Sequence, residues 1–477
     1  MIEQVLNRRF VLEQLQLVLS EVEKEPDERR TPATERPIDP ADRELILMEL
    51  KAVQEKESLG SSGQPGYHMP DGERRGGPMA APIDDTVFIS HEPTLAIFQS
   101  ALTQYFETTG KVTTVATEDF GRRSGNSFVP VSQRRLDGWA PLDRDADGRR
   151  IFDPYSVTDP GWVSSLFAMG IRWFRGRHEF NKIPATPLNI GDRARLILVG
   201  DWGTGIDRAI NVSKQMRKVI DEGIANGLEQ HVIHLGDVYY SGWKSEYDEN
   251  FLNHWPVNKG EQNTRLTSWS LNGNHDMYSG GGPYFDYLLK DPRFALHNQS
   301  SYFSFHNNSW DILGLDTAYE DEGLQDPQVA WVANTLRPGK KSMLLSHHQL
   351  FSAYEEPSKV LKKKLGPFVE QHGIDAWFWG HEHRCVFYGP FQGVRNARLV
   401  GNGGVPVYMW HGETDGFPDP AKTPFPAPAL YEYRKYIPDG LEHWAYLGFA
   451  VVDLDNAHAT IRYIDEFGAE FKREELV

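Results

Sequence analysis

LILVGDWGTG, residues 196–205, is the stretch whose reading decides the fold. Four apolar residues, Leu196 to Val199, have the pattern of a strand buried on both faces. They run into Gly200 and Asp201 on a glycine-rich turn. Open α/β sheets bind ligands in the crevice at the C-terminal ends of their strands, so Asp201 is placed where a ligand would sit. A metal-binding aspartate there would want a partner two residues on, and a histidine would serve. The residue in that place is Gly203. The stretch is therefore either a plain turn or one corner of a site whose missing ligand comes from elsewhere.

The same grammar recurs downstream. Apolar strands end at Val199, Leu235, Leu271, Leu345, Phe378 and Val400, and helical patterns fall at about 207–225, 326–336 and 358–372. That alternation predicts a layered α/β fold. GFAVVDLD and HATIRYID read as an antiparallel hairpin closing a second sheet. The strand ends carry residues of metal-ligand type. HVIHLGDVYYSG supplies Asp237 and, three residues on, Tyr240; WSLNGNHDMY supplies Asn274, His275 and Asp276. SMLLSHHQLF supplies His347 and His348, and AWFWGHEHRC supplies His381 and His383. Taken singly, each is ordinary turn or surface chemistry. Turn chemistry alone does not account for five in order, each after an apolar strand and a small residue. Gathered at one sheet edge they make a mixed oxygen and nitrogen site for two cations.

Composition narrows the function. The chain has 477 residues, enough for two or three domains, and 50 Lys+Arg against 67 Asp+Glu give a net charge of −17. That charge argues against general binding to nucleic acid or to an anionic membrane surface. The single cysteine, Cys385, excludes an internal disulfide framework and a cysteine-built zinc site. The opening MIEQVLNRRFVLEQLQLVLSEVEKE has acids within its apolar pattern, and reads as neither signal peptide nor spanning helix. No uninterrupted apolar run approaches membrane length, so the expectation is a soluble, cytoplasmic protein.

Four segments are expected. Residues 1–57 form a helical N-terminal segment, with amphipathic stretches at about 2–24 and 41–56. Residues 58–82, rich in Gly, Pro and Ser, form a flexible linker. Residues 83–190 form an accessory region with a helix at 91–110 ending at Gly110, and residues 191–477 form the catalytic domain. The Pro-rich stretch 411–440 reads as a long irregular loop. DRDADG, residues 143–148, begins like a calcium loop, but its twelfth position is Pro154, so it is read as a polar turn.

GDxG (200–203), GDxxY (236–240), GNHD (273–276), an apolar strand ending in His347, and GHxH (380–383) together resemble the calcineurin-like metallophosphoesterases. The resemblance covers 191–477 and implies a four-layer α/β/β/α sandwich of two mixed sheets, here with an N-terminal, partly helical extension. Most of that superfamily has Asp-x-His in the first motif. A first motif ending in glycine and a second motif with an added tyrosine are similar to its purple acid phosphatase branch, in which Tyr240 replaces the histidine missing at Gly203.

The resemblance implies a first metal held by Asp201, Tyr240, His383 and a bridging Asp237, and a second held by Asp237, Asn274, His347 and His381. It implies Fe(III) at the Tyr240 site and divalent iron, zinc or manganese at the other. The reaction implied is hydrolysis of a phosphate monoester or diester by in-line attack of a metal-bridging hydroxide. His275 would be the acid, with Asp276 orienting its imidazole and raising its pKa. His347 is preferred to His348 because it ends the apolar run directly after Ser346. The branch usually has a further histidine later on; HQLFSAYEEPSKV has none beyond His348, so leaving-group recognition is expected to differ. The expected partner is a small phosphorylated substrate, with residues 1–190 available for an oligomer contact or a protein partner. A competing reading is a catalytically silent scaffold of this fold that recruits partners through residues 1–190. The complete ligand set together with His275 favours the enzyme.

Overall fold

The computed structural model describes residues 176–320, 322–355, 358–407, 427–437 and 444–476, with scattered single positions earlier in the chain. The helices expected at 2–24, 41–56 and 91–110, the 58–82 linker, the DRDADG turn and most of the Pro-rich loop lie outside these residues, isolated positions aside. The chain divides into two units. Met1–Arg134, Pro160–Arg177 and Tyr278–Gly282 belong to one; Arg135–Asp159, His178–Met277 and Pro283–Val477 belong to the other, which holds every strand described below. Among the described residues no helix is long and apolar enough to cross a membrane.

In chain order the elements are β1 (Leu188–Asn189), β2 (Arg193–Val199), α1 (Asp207–Ala225), β3 (Glu229–His234), β4 (Leu266–Ser270), α2 (Asn274–Tyr278), β5 (Phe303–His306) and β6 (Trp310–Gly314). They continue with α3 (Gln328–Thr335), β7 (Lys341–Ser346), α4 (Lys359–His372), β8 (Ile374–Trp379), β9 (Cys385–Tyr388) and β10 (Val394–Val400). The last are β11 (Ala429–Glu432), β12 (Gly448–Asp455), β13 (His458–Asp465) and β14 (Glu470–Leu476). One sheet has eight strands in the order β1-β5-β6-β7-β8-β10-β9-β11, and the other six in the order β14-β13-β12-β2-β3-β4. Both are mixed. β2, β3 and β4 run parallel, as do β6, β7, β8 and β10, while β12 lies antiparallel to β2 and β13.

The continuous apolar runs follow from double burial. In β2, Leu196 and Leu198 face a core between the sheets that also holds Met343, Leu345 and Phe378. Ile197 and Val199 face the opposite way, packed with Val212, Met216 and Ile220 of α1. On the outer face of the other sheet, Leu344, Trp377 and Leu399 pack with Leu361, Leu365 and Val369 of α4. Three apolar layers between four layers of structure give the α/β/β/α sandwich. Each fully buried leucine contributes about 1.5–3 kcal/mol, so truncating Leu198 to alanine would cost about 2–5 kcal/mol.

The helices lie within two residues of their expected spans, and α4 begins with Ser358 as a cap, its side chain accepting from Leu361 N at 3.1 Å. Strand ends shift by one residue: β3, β4, β7 and β8 stop at His234, Ser270, Ser346 and Trp379. The β5–β6 hairpin, antiparallel through Phe303↔Gly314, was not among the expected strands. Its sequence, FSFHNNSWDILG, mixes a buried serine and a buried aspartate with aromatics and offers no simple alternation.

Candidate metal centre

The motif residues meet because parallel strands of both sheets deliver them from their C-terminal ends. β2 leads to Asp201, β3 to Asp237, β4 to Asn274, β7 to His347 and β8 to His381. The turns are tight enough that Asp201, Asp237, His381 and His383 adopt positive φ of 56°, 77°, 76° and 49°. A non-glycine residue in that region costs about 1–3 kcal/mol, and such strain is characteristic of functional sites. Two motif glycines are needed for closeness. A Cβ on Gly273 would stand 2.1 Å from Asp237 Oδ1, and one on Gly380 2.6 Å from Asp201 Oδ2.

Two groups of ligand atoms result. Asp201, Asp237 and His383 offer atoms within 4.8 Å of one another, and so do His347, His348 and His381. Asn274 joins the second group, its Oδ1 lying 3.0 Å from His347 Nε2 and 3.1 Å from His381 Nδ1. Asp237 lies between the groups, with Oδ2 3.3 Å from His347 Nε2. His383 Nε2 is 3.6 Å from Asp201 Oδ1.

The tyrosine hydroxyl on these groups belongs to Tyr239. It donates to Asp201 Oδ1 at 3.0 Å or Asp237 Oδ2 at 3.1 Å and lies 2.8 Å from His383 Nε2. Tyr240, expected there from the GDxxY spacing, contributes backbone instead: its carbonyl lies 2.6 Å from His275 Nδ1. The phenol beside the two carboxylates is therefore that of Tyr239, one residue before the position to which the GDxxY spacing points.

Asp276 also differs from its expected part. Its Oδ2 accepts from the N–H of Asp237 at 2.9 Å and of Gly273 at 2.6 Å, and its Oδ1 from Val238 N at 3.2 Å and from the Tyr247 hydroxyl. It ties the second and third motifs together through their backbones. The His275 imidazole is oriented by the Tyr240 carbonyl, which can only accept, so Nδ1 carries a hydrogen. Burial lowers the His275 pKa, contrary to the expected rise, although Asp237 opposes the shift.

The electrostatics suit cations. Asp201 and Asp237 are buried, and the titratable cations that approach them are imidazoles. Burial pushes the Asp201 carboxyl well above the usual range. Burial acts the same way on Asp237, but His347 and His275 outweigh it and hold that carboxyl well below. The His347 imidazole is in turn raised to about 9, because Asp237 and Asp201 overcome its burial. Burial holds His381 and His348 well below the ordinary histidine value, and His383 at about 3, leaving them neutral as ligands must be. Burial, with Asp201 and Asp237 beside it, keeps the Tyr239 phenol protonated. Protons on Tyr239 and His347 therefore stand where positive charge is needed, and these donors fit two cations that would take the place of those protons.

Sequence reasoning set His348 second to His347, gave Glu355 no role and missed the Gly401–Gly404 run. His348 sets its ring 4.6 Å from that of His381, tilted by 56°, with Nδ1 3.1 Å from Thr317 Oγ1. Glu355 Oε2 stands 3.5 Å from His381 Nε2. The Gly401–Gly404 run crosses the first motif, with Gly403 N donating to the Gly200 carbonyl at 3.0 Å. The doubled histidine signalled His348. Nothing local signalled the other two.

Residues 194–385 match the model of the family described as calcineurin-like phosphoesterase. Tartrate-resistant acid phosphatase type 5 of Rattus norvegicus is 22% identical over 315 residues, which cover 59% of this chain and 90% of that protein. Among solved structures, GAP50, the anchor in the inner membrane complex of Plasmodium, gives a TM-score of 0.43 at 14% identity, covering 60% of this chain and 88% of that one. Purple acid phosphatase PPD1 from yellow lupin (Lupinus luteus) seeds gives 0.40 at 14% identity, covering 61% and 54%.

Proposed function

We propose that this chain, whose residues 194–385 form a calcineurin-like phosphoesterase domain, hydrolyses phosphate esters as a metal-dependent enzyme with two cations at the strand ends. The observation that carries the reading is Asp237, a buried carboxylate lying between an Asp201–Tyr239–His383 group and an Asn274–His347–His381 group. One carboxylate shared by two donor sets is the arrangement a pair of cations requires.

The first cation would be held by Asp201, Tyr239, His383 and Asp237, and the second by Asp237, Asn274, His347 and His381. Two cations a few ångströms apart would lower the pKa of a water held there and neutralise phosphoryl oxygens. The remaining steps fall to the protein. The Tyr240 carbonyl fixes the His275 ring through Nδ1–H, and the imidazolium, which the nearby Asp237 carboxylate favours against burial, would give its Nε2 proton to the departing oxygen and be left as the neutral ring. The His275 backbone N–H donates to Asp237 Oδ1 at 2.9 Å, keeping the shared carboxylate and the acid in fixed register. Asp276, through three backbone amides, holds both motifs at that spacing. A phenolate from Tyr239 would favour a trivalent ion, so Fe(III) is assigned to its site and a divalent ion to the other.

Asp237→Ala tests the assignment. It should abolish binding of both metals and hydrolysis of an aryl phosphate together. Retention of two metal equivalents in that variant would overturn the reading.

A further inference from the structure

The loop after β3 carries consecutive backbone N–H groups from Asp237 to Trp243, and each one has an acceptor. Asp276 takes those of Asp237 and Val238 at 2.9 and 3.2 Å. The Gly203 carbonyl takes that of Tyr239 at 2.9 Å, and the Val238 carbonyl takes that of Gly242 at 3.0 Å. The other three converge on one side chain. Glu246 Oε1 accepts from Tyr240 N at 2.6 Å, and Oε2 accepts from Ser241 N at 3.0 Å and Trp243 N at 2.8 Å. Glu246 is 2% exposed. A buried carboxylate is tolerated when amide donors satisfy it, and such charge-assisted bonds are the strong ones.

This loop segment brings two functional atoms to the centre. The Tyr239 hydroxyl stands on Asp201, Asp237 and His383, and the Tyr240 carbonyl receives His275 Nδ1. The Tyr240 N–H on Glu246 lies between them in the chain.

We propose that Glu246 is a positioning residue for the metal centre: by gathering the amides of Tyr240, Ser241 and Trp243 it sets both the Tyr239 hydroxyl and the orientation of His275. It acts through the loop backbone. The inference rests on the two-metal reading above and extends it to a residue outside the strand-end motifs.

Glu246→Gln tests it, since glutamine keeps the volume but presents an NH₂ where an amide N–H needs an acceptor. Turnover should fall on the order of 10- to 100-fold with KM little changed, as small displacements of reacting groups cost that much. In the metal-free protein, amide hydrogen exchange at Tyr240, Ser241 and Trp243 should quicken while β2 and β3 keep their protection. Combined with His275→Ala, Glu246→Gln should lose much less than it does alone, because part of its effect passes through that ring. Glu246→Asp, which keeps the charge on a shorter arm, should fall between wild type and Gln, and it serves if the Gln variant does not fold. Wild-type turnover and protection in Glu246→Gln, or protection lost evenly across the sheets with additive losses in the double variant, would overturn the inference. A wild-type protein that binds no metal pair would instead defeat the reading beneath it, while the metal-free exchange would still report on Glu246.

Discussion

Tyr239 and Tyr240 stand side by side on the loop after β3. The GDxxY pattern points to Tyr240; the hydroxyl beside Asp201 and Asp237 is that of Tyr239. The two assignments predict opposite outcomes. With iron loaded, a phenolate at the first site absorbs visible light by charge transfer, so Tyr239→Phe should bleach the protein and weaken that site while Tyr240→Phe keeps the colour. A visible spectrum of the two variants decides between them. His275 gives a second prediction. Its ring is held by backbone and lies outside the ligand groups, so His275→Ala should retain both metals and lose ~10²–10⁴ in turnover, the usual worth of a positioned proton donor. Elemental analysis beside a rate measurement checks both halves. Asp201, Asp237, Asn274, His347 and His381 stand out in the sequence because each follows an apolar run and a small residue, and His383 because it lies two residues after His381; the fold brings the six together. The part played by Asp276 does not stand out, since its partners are backbone amides of residues up to 39 positions away.

Among elements, the strands carry the clearest imprint. β2, β3, β7 and β8 were legible as apolar runs because both faces are covered, whereas β5 and β6, with buried serine and aspartate among aromatics, were not. The turn beyond β4 allows no side chain at Gly273, so Gly273→Ala should disrupt the centre: the added methyl would meet Asp237 Oδ1 at 2.1 Å. Loss of metal without loss of overall fold, read by elemental analysis and circular dichroism, is the expected result. β4 is also tied down by a buried histidine. His297 Nε2 accepts from Ser270 N at 2.9 Å while Nδ1 lies 2.7 Å from the Ser300 carbonyl, an arrangement only the neutral ring satisfies. Burial pushes its pKa down from 6.5 to about 4. The unfolded chain therefore takes the proton first: this contribution is whole above pH 6.5 and is lost as pH falls towards about 4. The full loss is of order 3 kcal/mol. His297→Gln, which can donate and accept in the same places, should flatten that part of the pH–stability curve, as read by denaturant titration.

At the scale of the whole molecule, the motif residues all lie in the unit that contains both sheets. The motifs begin at Asp201, and the unit takes in the chain from His178, with Ala185 and Ile190 already in the core between the sheets. A chain lacking residues 1–82 should accordingly fold and load its metals, which gel filtration and metal analysis would show. Phosphate-ester hydrolysis is proposed to depend on two cations sharing Asp237. The most direct measurement is the rate of hydrolysis of an aryl phosphate by metal-stripped protein, followed as metal is added back by equivalents. The account predicts no turnover without metal and full turnover only as the second equivalent binds. Full turnover in the stripped protein, or none once two equivalents are bound, would contradict it.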